Sequence, residues 1–302
     1  MVGRLLTARP TAVTGWVVAH DEESQLSTYE DYGDASNHYD SSRVPVGPEI
    51  ILGHLAAGPT PLEKIHLLDA GCGTGNYAVV IAPHMGALTL MDASEEMLAV
   101  ATAKLAASAD APPVDAHHGQ LQALPFDDES FDAVMTNQVL HHLDGPAPEA
   151  WPEHAKAFAE YGRVLKPGGV LVINTCSDEQ IRHGWWAFAL IPTGRDEMAR
   201  RYAPIEVLED LARANGLVGV GRYVPTDATI QGASYFDPEG PLSASWRRSD
   251  STWSLAPDAE VDAMIETLEG LRDRGELEDY VAEHDARRLH VGQTTFVVFR
   301  KP

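Results

Sequence analysis

Cysteine is nearly absent from this chain: Cys72 and Cys176 are the only two in 302 residues. Two thiols do not build a disulfide framework or a cysteine-rich metal site. Basic residues are scarce as well, 22 Lys and Arg against 45 Asp and Glu, for a formal net charge of -23. Such a surface repels nucleic-acid phosphates, so no nucleic-acid partner is expected. No apolar run reaches bilayer-spanning length, and the N-terminus lacks the apolar core of a signal peptide. The expectation is a soluble cytoplasmic protein with no membrane partner. No HExxH and no acidic cluster with ligand spacing occur, so no metal is expected. What is present is ordinary globular composition, 44% apolar, enough for one large α/β domain with an insertion or for two small domains.

The strongest signal is the stretch from Leu67 to Tyr77, LLDAGCGTGNY, followed ~20 residues on by Asp92. It reads as a buried strand, a glycine-rich turn, a helix, and a second strand that ends in a carboxylate. That arrangement binds an adenosine-containing cofactor at the carboxyl edge of a parallel sheet. Gly71 and Gly73 allow the tight turn and leave room for a ligand, while Gly75 permits close packing where the helix starts. Asp69, at the end of its strand, disfavours a pyrophosphate and favours an ammonium or sulfonium group. A carboxylate at Asp92 can accept from both hydroxyls of a ribose. A P-loop is excluded, because no Lys-Ser or Lys-Thr follows the glycines.

Around this motif, strand and helix patterns alternate. Strands are predicted at 64–69, 87–91, 114–118, 132–136, 170–174, 217–223 and 296–300. Helices are predicted at 77–82, 94–107, 153–164, 204–215 and 259–274, with a short one opened by Pro48. The polar strand 114–118 belongs nearer a sheet edge. Residues 181–191, with Trp185 and Trp186, read as a helix or lid over a pocket. Residues 225–257, rich in Gly, Pro, Ser and Trp, are long for a plain loop. The expected organisation is an arm and cofactor-covering segment (1–48), a Rossmann-like core (49–225), an insertion or cap with a helix (226–293), and a final core strand (294–302).

The stretches LLDAGCGTGNYAVVIA, LTLMDASEEML, LQALPFDDESFDAVMTNQVLHHL and RVLKPGGVLVI stand in one order and spacing. In them the chain resembles a class I S-adenosylmethionine-dependent methyltransferase. Within that class it is similar to the small-molecule group that includes ubiquinone/menaquinone-type and natural-product methyltransferases. The resemblance implies a seven-stranded, mostly parallel sheet with its last strand antiparallel and helices on both faces. It also implies that Asp69 and the loop of Gly71, Gly73 and Gly75 hold the amino-acid part of S-adenosyl-L-methionine. Asp92 would bind the ribose, Ala93 and Met97 would flank the adenine, and Asn137 would lie beside the methionine portion. Gln120-Leu121 departs from the group's usual acidic residue, leaving a neutral acceptor for the adenine amino group. Met97 is equally suited to plain core packing.

Tyr39 and Arg43 lie in a segment resembling the one that closes over the cofactor in related enzymes. His141 and His142 are the candidate catalytic residues, as general base or as a group that orients an acceptor hydroxyl. Cys176, His183, Trp185, Trp186, Arg201 and Tyr202 fall where the family builds its substrate wall, and the aromatic pair suits a flat or apolar acceptor. Trp246, Arg247, Arg248 and Trp253 read either as a second wall or as a dimer contact. The expected reaction is methyl transfer to oxygen or carbon of a small molecule, in secondary metabolism, by a monomer or homodimer. The competing readings are an NAD-dependent oxidoreductase and a non-catalytic S-adenosylmethionine-binding protein.

Overall fold

The computed structural model describes residues 43–146 and 148–302; the expected arm before residue 43, Tyr39 included, lies outside them. Strands β1 (His66–Ala70), β2 (Ala87–Asp92), β3 (Val114–His118), β4 (Phe131–Asn137), β5 (Leu165–Thr175), β6 (Val218–Tyr223) and β7 (Thr295–Arg300) form one sheet. Its order is β3-β2-β1-β4-β5-β7-β6. All neighbours pair in parallel except β7, which is antiparallel to both β5 and β6. The expected sheet and its one reversed strand are therefore present. Polar β3 and exposed β6 are the edges, and apolar β1, β4 and β5 lie inside, as two-sided burial requires.

Alternate side chains of each inner strand enter opposite cores. Val134, Leu171, Ile173, Val297 and Phe299 pack with Ala157, Phe158 and Tyr161 of one helix, and with Leu208 and Ala212 of another. Ala133, Met135, Val172, Phe296 and Val298 pack on the other face with Ile51, Leu55, Ala78, Ile81, Ala101 and Leu105. The helices responsible are α1 (Pro48–Ala56), α2 (Asn76–Ile81), α3 (Glu95–Ala106) and α4 (Pro152–Val164), with the later helix Ile205–Ala214 carrying Leu208 and Ala212. After β5 come α5 (Asp178–His183), α6 (Pro192–Ala199), α7 (Ile205–Ala214), α8 (Ala244–Arg247), α9 (Asp258–Arg274), α10 (Leu277–Asp285) and α11 (Arg288–Val291). Ser94 caps α3 by accepting from the Met97 amide at 3.3 Å, and Ser177 with Gln180 forms a capping box on α5.

A third core sits over the carboxyl edge of the sheet. It joins Val46, Cys176, Ile181, Trp185, Trp186, Phe188, Met198, Ile230, Tyr235, Trp253 and Leu268. Its chain path departs from expectation. Residues 181–191 do not form one helix: α5 stops before Gly184, and Trp186–Leu190 turn as 3-10. A Cβ at Gly184 would stand 2.6 Å from the Gly292 carbonyl oxygen, so this crossing requires glycine. Among the described residues no helix is long and apolar enough to cross a membrane.

Candidate active site

The carboxyl ends of β1, β2 and β4 open into a cavity of about 1130 Å³. The loop between β1 and α2 carries three glycines, two of them with clearly distinct tasks. Gly75, at φ 79°, has no space for a Cβ, which would lie 2.9 Å from the Ala101 Cβ of α3. It is the helix-packing position. Gly73, at φ 52°, has nothing within 4 Å of an added Cβ and lines the cavity. That open face is where a ligand can approach the backbone. Gly71 lines the cavity too, pressed against Val139.

Asp69 is 1% exposed, and neither carboxylate oxygen has a hydrogen-bond partner. Burial, with the nearby charge of Asp92, pushes its pKa up to about 8. A buried, unpartnered carboxyl group is costly to fold and is satisfied by a cationic donor. Asp92 is tied differently. Its Oδ2 accepts from the Gly73 amide at 2.7 Å and its Oδ1 from the Ser94 amide at 2.9 Å. Burial raises its pKa, while these bonds counter the rise. At the end of β4, both amide atoms of Asn137 are buried without a partner.

Ala93, Met97, Gln120 and Leu121 line the same end of the cavity beside Asp92. Across from them, the His141 ring lies 4.5 Å from that of Tyr202 at an interplanar angle of 19°, and 4.0 Å from His142. His141 Nδ1 has no partner. Burial above all, then the charges of His142, Arg43 and Arg201, hold its pKa well below the usual histidine range. The ring is neutral at pH 7.

The remaining expected residues divide. Arg43, Cys176, Trp185 and Tyr202 line the cavity. Cys176 is an inert thiol: burial pushes its pKa up to about 12, and it donates to the Gln293 carbonyl at 3.2 Å. Three residues expected at the substrate wall are elsewhere. His183 is exposed at the end of α5, turned out by the break at Gly184. Trp186 is buried in the third core, its Nε1 donating to the Tyr235 carbonyl at 3.0 Å. Arg201 is drawn to Glu197 one turn earlier, at 3.3 Å. None of the three lines the cavity.

Two residues without any sequence signal belong to the site. Gln138 adopts φ 52°, rare for a side-chain-bearing residue. Its amide donates to Asn174 and Thr294 and its carbonyl accepts from Tyr202, at 3.1, 2.8 and 3.0 Å. Asp250 accepts from Arg43 at 3.0 Å, from Gln231 at 3.2 Å and from the Thr252 amide at 3.0 Å. It binds the segment before α1 to the segment after α8. Only three-dimensional proximity across 207 positions could reveal that pair.

Residues 68–173 match the family model described as a methyltransferase domain. The demethylmenaquinone methyltransferase of Lactiplantibacillus plantarum is 32% identical over 159 residues, 50% of this chain and 64% of that protein. The malonyl-[acyl-carrier protein] O-methyltransferase of Erwinia pyrifoliae is 31% identical over 162 residues, 53% of this chain and 55% of that protein. The match thus covers less than two thirds of either relative's own length. Among solved structures, one described as a methyltransferase from an antibiotic biosynthesis pathway of Anabaena variabilis superimposes with a TM-score of 0.63. It is 23% identical, covers 85% of this chain and 98% of the other, and so speaks to the fold alone. Sheet order, glycine loop, the carboxylates near the ends of β1 and β2, and the matched segment agree: over residues 68–173 the chain is similar to a methyltransferase domain.

Proposed function

We propose that this protein transfers a methyl group from S-adenosyl-L-methionine to an oxygen or carbon atom of a small acceptor enclosed in the cavity. The observation that carries the reading is Asp69, a buried carboxyl group with both oxygens unpartnered beside the open face of Gly73. That pair fits the ammonium of an amino-acid moiety and does not fit a pyrophosphate, which counts against the NAD-dependent alternative. The cavity, about 1130 Å³, lies just above the upper end of the ~300–1,000 Å³ usual for small-molecule sites.

The cofactor supplies an electrophilic methyl group on a sulfonium, which leaves as a neutral thioether. The chain's own residues do the rest by positioning. Asp69 and Asn137 hold the amino-acid end, and Asp92 accepts from the ribose hydroxyls. Ala93, Met97 and Leu121 flank the adenine, with Gln120 as a neutral acceptor for its amino group. Neutral His141 accepts a hydrogen bond at Nδ1 from an acceptor hydroxyl and orients it. Its depressed pKa makes it a weak base, so it orients the hydroxyl and passes on to solvent, rather than keeps, the proton released as the methyl group arrives. A pocket with an aromatic wall suits a secondary metabolite.

Calorimetry with S-adenosylmethionine, S-adenosylhomocysteine and NAD tests the reading. The expected result is binding of the first two and not of NAD, lost in Asp92→Ala. Wild-type protein that binds neither sulfur compound overturns it. Binding without methyl transfer to phenols, small acids or prenylated compounds would favour a non-catalytic cofactor-binding protein.

A further inference from the structure

The end of the cavity away from Asp69 carries aromatic rings and hydrogen-bond donors. Trp185 and Phe188 stack at 5.3 Å, Phe188 meets Trp253 at 6.1 Å, and Trp253 meets Trp246 at 5.8 Å. Arg247 and Arg248 follow Trp246 directly in the chain, and both line the cavity. Of these rings Trp185, Phe188 and Trp253 line the cavity and Trp246 does not, so an aromatic wall shares the cavity with two cations adjacent in sequence. In this acidic chain most arginines near the cover are ion-paired: Arg182 with Asp178 and Asp196, Arg195 with Asp196, Arg200 and Arg201 with Glu197, and Arg288 with Asp285. Arg247 and Arg248 are in no ion pair among the described residues; Arg247 donates only to the Pro241 carbonyl, at 2.6 Å. Trp253 is 6% exposed, and its indole N–H has no partner.

The carboxylates lining the cavity do not neutralise this group. Asp250 is engaged by Arg43, Glu153 by Lys156 and Gln122, and Asp258 is exposed at the start of α9. Asp69 and Asp92 close the other end of the cavity. Burial and the neighbouring Arg248 lower the pKa of Arg247, which is what a cation without a counter-ion experiences.

We infer that the acceptor has a flat or elongated apolar body ending in an anion, a carboxylate or a phosphate, and that Arg247, Arg248 and the Trp253 indole N–H bind that anion. The word acceptor rests on the methyl-transfer reading; the ligand chemistry rests on these residues.

The test compares matched probes in the presence of S-adenosylhomocysteine: 4-phenylbenzoate against 4-phenylbenzamide, and geranyl phosphate against geraniol. Calorimetry on wild type and on an Arg247→Gln/Arg248→Gln variant gives the affinities. At least one anion should bind about 10-fold tighter than its neutral partner, because charge-assisted bonds to arginine exceed neutral ones by roughly that factor. The preference should shrink with added salt and vanish in the variant, while neutral-probe affinity stays unchanged. Preference for one anion alone names the anion. Equal binding of charged and neutral probes, a preference that survives in the variant, or no binding of any probe overturns the inference. S-adenosylhomocysteine is also titrated alone. Its failure to bind would remove the methyl-transfer reading while leaving the anion preference separately measured.

Discussion

The two ends of the cavity are stabilised in opposite ways. At the sheet end, polar atoms are buried and left open: both oxygens of Asp69, both amide atoms of Asn137, Nδ1 of His141. At the cover, buried polar groups are largely cross-tied. Asp250 has three donors, Gln293 bridges Ile230 and Gly184, and Tyr235 donates to Asp285 at 2.5 Å. A buried polar atom without a partner costs stability, so a fold tolerates it where a ligand completes it. The cover has no parallel sheet to hold it, and polar ties between distant segments fix its shape instead. Cofactor affinity should therefore fail at the sheet end and stability at the cover.

The largest expected effect is at Asp69. Asp69→Asn removes the carboxylate proposed to meet the cofactor ammonium, and affinity for S-adenosylhomocysteine should fall about 10²-fold, since a charge-assisted bond contributes ~1.5–3 kcal/mol. Stability of the ligand-free protein should move the other way. The folded-state pKa of about 8 stands above the unfolded value of 3.8. The folded state thus keeps a proton that the unfolded chain releases. The contribution of this group is fully present below pH 3.8 and is lost as pH rises through about 8. Urea unfolding at pH 5 and pH 9 should show wild type losing stability across that window and the variant losing less. A variant that binds normally, or is less stable than wild type at pH 9, would break the contrast between the two ends.

Asp250→Ala is the counterpart in the cover. It removes the carboxylate partner of Arg43, whose side chain is 17% exposed, and the acceptor of Gln231 and of the Thr252 amide. Breaking a fully buried pair costs ~3–5 kcal/mol, and partial exposure of Arg43 reduces this to about 2 kcal/mol. Chemical denaturation should record that loss at every pH from 6 to 9. Affinity for S-adenosylhomocysteine should change less than in Asp69→Asn. A larger loss of cofactor affinity than of stability would mean that the cover is part of the cofactor site.

The same division governs what could be read from residues alone. The sheet end announced itself because strand period, glycine turn and terminal carboxylate are local patterns. Strands 87–91 and 132–136 were placed to within a residue of β2 and β4. The cover is made by contacts distant in sequence, and periodicity carries little of that. Helices α6, α10 and α11 escaped notice for this reason: α6 follows a 3-10 turn, and its packing surface is the turn at Ser251–Leu255. Trp186 looked like a substrate contact because it neighbours Trp185. One residue along a turn decides which ring meets the cavity and which meets Tyr235. Gln138 had no signature at all, since a left-handed glutamine is dictated by its surroundings.

The smallest expected effect lies where the two ends meet. Tyr202 stacks on His141 and donates to Gln138 at 3.0 Å, so it belongs to the cover by sequence and to the sheet end by contact. Tyr202→Phe keeps the ring and deletes the hydroxyl. One hydrogen bond contributes ~1 kcal/mol, and Gln138 retains its bonds to Asn174 and Thr294, so the loss of stability should not exceed about 1 kcal/mol. Affinity for S-adenosylhomocysteine should stay within about twofold of wild type, because the groups proposed to meet it are at the ends of β1, β2 and β4. A thermal melt and one calorimetric titration measure both. If cofactor affinity falls as far as in Asp69→Asn, the Gln138 network positions Asn137 next to it, and the division between an open sheet end and a tied cover must be redrawn through Gln138.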